Sequence, residues 1–186
     1  MSSPYELLAG LALLREKKRL SGHSNDKQLE SWPALLVRIG KLTCVLRQGD
    51  VDEIIARGKL SRVKGVADCV LGLGYYRGQL LTVLDGALLL GLRGEQRSSD
   101  ATIRIMVVSG TDELFGLQVD ELLGIRHIWS DNTHDNGPVK HANAVWTAYV
   151  ECWIKLEENI VPVLKLKELV RALEQSEEAV MHSGRD

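Results

Sequence analysis

Residues 72–85, GLGYYRGQLLTVLD, gather three glycines, two tyrosines and an arginine ahead of an apolar run. Glycine-rich loops hold phosphate when their backbone N–H groups and the N-terminus of a following helix point at the anion. Gly72, Gly74 and Gly78 give G-x-G-x-x-x-G, one residue away from the dinucleotide fingerprint, and only the short GALLLG follows. The stretch therefore predicts a strand, a turn at Tyr76-Arg77-Gly78 and a second strand, with glycine serving backbone geometry. His127, His134 and His141 are spaced by seven residues across a loop that holds Gly137 and Pro138. That spacing lies outside the usual metal-ligand patterns. No elbow motif marks a nucleophilic serine or cysteine. No catalytic residue, metal ligand or cofactor is expected.

The bulk properties bound the function further. With 186 residues the chain can build one well-buried core or two small ones packed together. Lys and Arg number 23 against 25 Asp and Glu, a formal net charge of -2. There is no cationic excess for a phosphate backbone, so nucleic acid is not an expected partner. Cys44, Cys69 and Cys152 are odd in number, widely spaced and set in or beside apolar stretches. They behave as small hydrophobes in a reducing compartment. No signal peptide or membrane-spanning run is recognisable, which predicts a cytoplasmic protein.

The elements that must position these residues can be traced along the chain. Ser3, Pro4 and Glu6 make a capping box, and Leu7, Leu8, Leu11 and Leu14 form an apolar stripe that ends before Gly22. This predicts an N-terminal helix, followed by the polar linker HSNDKQLES, so that residues 1–31 form an extension. From Trp32 the pattern turns to short β-rich units. ALLVRIGKLTCVL predicts a hairpin around Gly40-Lys41. Asp50 with Glu53 gives a D-x-x-E signal that predicts one or two helical turns ending at Gly58. IRIMVVSGTDELFGLQVDELLGIRHI predicts strand, turn at Gly110-Thr111-Asp112, strand and a short D-E-L-L segment. YVECWIKLEENIVPVL predicts a further hairpin, and Leu166, Leu169, Val170 and Leu173 a C-terminal helix. Residues 176–186 are expected to be a flexible tail.

Shifted by eighty residues, Tyr76-Arg77-Gly78 falls on Leu156-Glu157-Glu158, and Val83-Leu84 on Val163-Leu164. The chain is a weak internal duplication. Each half supplies four or five short strands, enough for a small closed or nearly closed barrel.

These residues carry a family resemblance from Trp32 to Glu174. VLGLGYYRGQLLTVLD resembles the G-V-x-N-L-R-G signature of CheW-like domains, the adaptors of bacterial chemosensory arrays. GLQVDELLGI matches in the second half. The leucine-rich extension is similar to that of adaptors in the systems governing type IV pili and twitching. The resemblance implies a mainly β fold over residues 32–175, two intertwined five-stranded SH3-like barrels with short helices. It implies a non-catalytic scaffold, recruited to membrane-associated receptor arrays. Its partners would be the regulatory domain of a CheA-type histidine kinase and the cytoplasmic tip of methyl-accepting chemoreceptors. By the same resemblance Arg77, with Tyr76 beside it, occupies the partner-binding R-G turn. Glu53, Ile54 and Ile55 match the V-x-E-I-I element that lines a groove between barrels. Asp85 matches the acidic residue after the second strand, where it can also cap the GALLLG stub.

The sequence departs from the signature at three places. Tyr75-Tyr76 replace Asn-Leu, Thr82 replaces proline, and Gly86-Ala87 replace Leu-Arg. An accessory CheW paralogue with altered partners therefore stays open, as does a small-ligand-binding β-barrel.

Overall fold

The computed structural model describes residues 31–92, 99–110, 113–135, 137–138 and 144–173. The N-terminal helix, the turn residues Thr111 and Asp112, His141 and the tail lie outside them. Eleven strands are formed among the described residues. β1 (Ser31–Ile39) and β2 (Leu42–Arg47) make the expected hairpin, with Gly40 at φ +58° in its turn. β3 is Glu53–Ala56, β4 Val70–Tyr76 and β5 Gln79–Asp85. The helical stub α1, Gly86–Leu89, follows β5. β6 (Arg104–Ser109), β7 (Leu114–Val119), β8 (Glu121–Trp129), β9 (Thr133–His134), β10 (Val150–Leu156) and β11 (Asn159–Leu164) complete the strands. Residues 166–173 are helical.

The strands form two sheets, β8-β1-β2-β11-β10-β9 and β3-β6-β7-β5-β4. The duplication is visible in the register. In the β4–β5 hairpin Val70 pairs with Leu84, a bulge follows, and the ladder runs from Gly72/Val83 to Tyr76/Gln79. In the β10–β11 hairpin Val150 pairs with Leu164, a bulge follows, and the ladder runs from Cys152/Val163 to Leu156/Asn159. Every pair recurs eighty residues later. The two sheets do not follow the two halves, however. The hairpin β1–β2 joins β8 and β11 of the later half, and β6–β7 joins β3 and β5 of the earlier one. Each repeat lends its first hairpin to the other repeat's sheet.

Each sheet also brings its outer edges together by one device. Beyond β3, at one edge, Ser61 exchanges two backbone hydrogen bonds of 2.8 Å with Leu73 of β4 at the other edge. Beyond β8, at one edge, β9 pairs His134 with Trp153 of β10 at the other. Gly72 is what permits the first closure. Its φ is +144°, and a Cβ there would sit 2.5 Å from the Ser61 carbonyl oxygen.

Alternation along the strands produces three cores. Ala34, Val45, Ile128, Ile154, Val161 and Val163 fill the inner face of the six-stranded sheet. Leu81, Val83, Ile105 and Val107 fill that of the five-stranded sheet, and Leu81/Val83 are the duplicates of Val161/Val163. The third and largest cluster lies between the sheets and takes residues from both, among them Leu35, Leu84, Met106, Phe115, Leu117 and Leu164. Leu166, Leu169 and Val170 of the C-terminal helix are buried in it, as their helical spacing predicts.

One local expectation is overturned. The D-x-x-E signal does not open a helix: Gln48–Asp50 is a single 3-10 turn and Glu53–Ala56 is a strand. Ile54 and Ile55 are β-branched, and pairing Glu53–Ala56 with Arg104–Val107 outweighs a cap of at most one turn. The segment Glu121-Leu122-Leu123 opens the nine-residue β8, because β1 offers a long antiparallel edge. The expected stub does form at Gly86, where Asp85 Oδ1 accepts from Ala87 N at 2.9 Å and Leu88 N at 3.1 Å. Asp85→Ala should lower stability by about 1 kcal/mol, the usual worth of such a cap. Thermal unfolding of the two proteins checks this; an unchanged midpoint would show the stub to be held by packing alone.

Candidate functional site

The tip of the β4–β5 hairpin is built by Arg77 and Gly78, both at positive φ, +49° and +82°. Two consecutive left-handed residues match the right-handed twist of the flanking strands and make the tightest hairpin connection. Glycine adopts this without cost and arginine does not, so Arg77 is held there by the ladder on either side. Its duplicate, Glu157, has φ +54°.

At this tip three of the six expected partner-binding residues meet. Glu53, on the neighbouring end of β3, accepts the phenolic O–H of Tyr76 on Oε2, and the same oxygen accepts Arg77 Nη2 at 2.6 Å. The guanidinium carbon lies 5.1 Å from the centre of the Tyr76 ring. Tyr76 packs on the inner core of the five-stranded sheet, with Ile55, Leu60, Leu71 and Leu114. The hydrogen bond to the Glu53 carboxylate raises the ionisation of Tyr76 above the ordinary phenol value, so the phenol remains a donor through the neutral range. Arg77 is 75 % exposed at its side chain and Glu53 39 %, so the pair is screened and contributes little to stability.

The other three residues are placed differently. Ile54 and Ile55 alternate across β3: Ile54 packs on the core between the sheets, Ile55 on the inner core. Both are half-buried. Asp85 sits at the far end of β5, six residue pairs from the tip, occupied with α1. His127 lies on β8 and His134 on β9. Among the described residues no group of three or more His, Cys, Asp or Glu side chains could hold a metal. Burial pushes the Cys44 thiol up to about 12, and burial also raises Cys152; neither is poised as a nucleophile.

A second polar cluster had no local signal, because its members are far apart in sequence. Arg47 at the end of β2 makes a two-pronged contact with Glu151 of β10, Nε to Oε2 at 2.8 Å and Nη2 to Oε1 at 2.5 Å. Its guanidinium carbon lies 4.2 Å over the Trp32 ring. Beside it Lys167 pairs with Asp50 at 3.6 Å and Lys165 with Glu168 at 3.2 Å. The hydrogen bond from Arg47 holds the Glu151 carboxyl below its ordinary value, and the Arg47 guanidinium is correspondingly raised. A carboxyl depressed in the native state adds stability above its unfolded value, roughly 4.3, and loses it as pH falls through the native value. Both side chains are about a third exposed, so solvent screening limits the pair to roughly 0.5 kcal/mol. Glu151→Gln should therefore lower stability slightly at neutral pH and not at all in acid strong enough to protonate the native carboxyl. Urea unfolding at the two pH values tests the sign, and an equal loss at both would refute it.

The fold and the tip can now be set against known proteins. A family model described as the CheW-like domain matches residues 33–174. The chain belongs to the CheW-like family. CheW-like domains are non-catalytic scaffolds that couple CheA kinase to chemoreceptors. Protein PilI of Pseudomonas aeruginosa is 27% identical over 139 residues, which cover 74% of this chain and 76% of that protein. The crystal structure of the scaffolding protein TtCheW from Thermoanaerobacter tengcongensis aligns with a TM-score of 0.66 at 21% identity. That alignment covers 80% of this chain and 93% of TtCheW and shows the same fold. In this CheW-like chain no helix among the described residues is long and apolar enough to cross a membrane.

Proposed function

We propose that this chain couples the regulatory domain of a CheA-type histidine kinase to the cytoplasmic tips of methyl-accepting chemoreceptors, in a system controlling type IV pili and twitching. The observation that carries this reading is the hairpin tip. In the family's R-G turn, a solvent-facing Arg77 is held by Glu53 and Tyr76 at a fixed point on the five-stranded sheet. A rigid, exposed and chemically quiet tip suits a scaffold, whose task is to present one surface to a partner. The likeness to PilI supports the pilus output. The same reading makes the two sheets SH3-like barrels, places the working domain at residues 32–175, and sets residues 1–31 apart as an extension. The protein would act in the cytoplasm, recruited to arrays beneath the membrane.

Pull-down of the full chain with the kinase regulatory domain and with a receptor tip from the same organism tests the coupling. Retention of both is expected, and failure to retain either sinks the reading. Deleting the gene should abolish twitching and spare swimming; the reverse would leave the coupling intact and move its output to flagella.

A further inference from the structure

Charge is spread unevenly over the two repeats. Residues 57–64, RGKLSRVK, hold four cations and no acid, so the rest of the chain carries 19 Lys and Arg against 25 Asp and Glu. Arg57 is paired with Asp100 at 3.3 Å. Lys59, Arg62 and Lys64 are exposed and have no ion-pair partner among the described residues. Leu60 packs on the inner core of the five-stranded sheet, and Ser61 is fixed to Leu73 by its two backbone hydrogen bonds, so the cations flank an anchored point. The second repeat presents the opposite sign at the tip of the β10–β11 hairpin. Glu157 and Glu158 are exposed there, and the pairing of Thr133 with Ile154 directs the exposed Asp131 toward the same end. These three acids also have no ion-pair partner among the described residues, and Lys155 is the nearest cation in the hairpin. Each surface carries one exposed apolar residue, Val63 at 40% and Ile160 at 44%.

We propose that these two surfaces are each other's partner, the Lys59–Lys64 strip of one molecule docking on the Glu157–Glu158 tip of a second copy. Charge complementarity between two surfaces of this one chain assigns the occupant. Three unpaired cations within six residues repel one another and call for an anionic surface, and the unpaired acids at the other hairpin supply one. No ion pair joins the two within a single molecule: the strip lies beside β4 at the edge of the five-stranded sheet, and the tip belongs to the six-stranded sheet. The contact is therefore made between copies and uses a different patch on each side. Such a heterologous contact propagates head to tail instead of closing as a twofold dimer. Val63 and Ile160 add the apolar area that exposed ion pairs lack. The association uses neither Arg77 nor Glu53 and does not rest on the adaptor reading.

Sedimentation velocity of the full chain over a concentration series tests this. At about 0.05 M salt the sedimentation coefficient should rise with concentration, and the association constant should fall at least about tenfold on going to about 0.5 M. Lys59→Glu with Arg62→Glu, and Glu157→Lys with Glu158→Lys, should each weaken self-association by about tenfold or more. An equimolar mixture of the two double variants should return to within about threefold of wild type, because the reversed strip of one matches the reversed tip of the other. Damage to the fold cannot produce that recovery. All four residues are exposed, so the melting temperature should not move; a double variant that melts lower is replaced by its glutamine counterpart, for which the same loss is expected. Self-association by either double variant as strong as that of wild type, or a mixture that fails to recover, would overturn the pairing. A wild type that stays monomeric at every concentration in low salt would overturn it outright and leave the adaptor reading standing.

Discussion

Gly72→Ala should destabilise the domain by about 3–4 kcal/mol, a large part of the roughly 5–15 kcal/mol that holds an ordinary domain together. Two costs add. At φ +144° an L side chain is strained whatever the space around it, and the new Cβ would lie 2.5 Å from the Ser61 carbonyl oxygen. That carbonyl cannot swing away, because it accepts from Leu73 N in the bridge that brings the two edges of the sheet together. Relief therefore requires opening the sheet and exposing its inner core of Leu81, Val83, Ile105 and Val107. Gly78 provides the comparison. It also has positive φ, +82°, but a Cβ there meets nothing within 4 Å, so Gly78→Ala should cost only about 1 kcal/mol. Urea unfolding of the two variants separates strain from collision. Equal midpoints would mean that the Ser61 bridge yields freely and that the sheet does not depend on it.

This contrast also shows what the amino-acid sequence reveals and what it hides. The glycines of GLGYYRG could be assigned to backbone geometry from their spacing, but the partner that makes Gly72 indispensable lies in a polar segment with no strand signal. The duplication was legible because turn and apolar residues repeat together, and the paired registers follow it residue by residue. What it could not reveal was the exchange of hairpins. β1 and β6 have the same alternation whichever sheet they join, and only the shared core decides. The strand conformation of Glu53 was hidden for a related reason. Its D-x-x-E context is a local helix signal, whereas its strand conformation comes from β6, about fifty residues away. Arg77, Tyr76 and Glu53 were all singled out on the family motif, and the structure places them on one carboxylate oxygen. Arg47 and Glu151 had no motif and were missed.

Arg77→Glu should weaken kinase binding at least about thirtyfold while changing stability by roughly 1 kcal/mol. The stability figure follows from exposure: the lost pair is worth little, and the new carboxylate beside Glu53 adds a repulsion screened by water. The binding figure follows from position. Glu53 Oε2 holds both the Tyr76 hydroxyl and the guanidinium, so reversing residue 77 disturbs the support of the turn as well as the exposed guanidinium edge. The exchange Glu53→Arg with Arg77→Glu separates these effects. It restores opposite charges across the tip but removes the donor from position 77. Recovery of about tenfold in affinity over the single variant is expected, because the tip regains an internal pair that can hold the turn. A full loss in the double variant would mean that Arg77 acts solely by touching the partner. Full recovery would mean that it acts solely by holding the hairpin. The intermediate result follows from the geometry, in which one nitrogen of the guanidinium is committed to Glu53 and the opposite edge faces solvent.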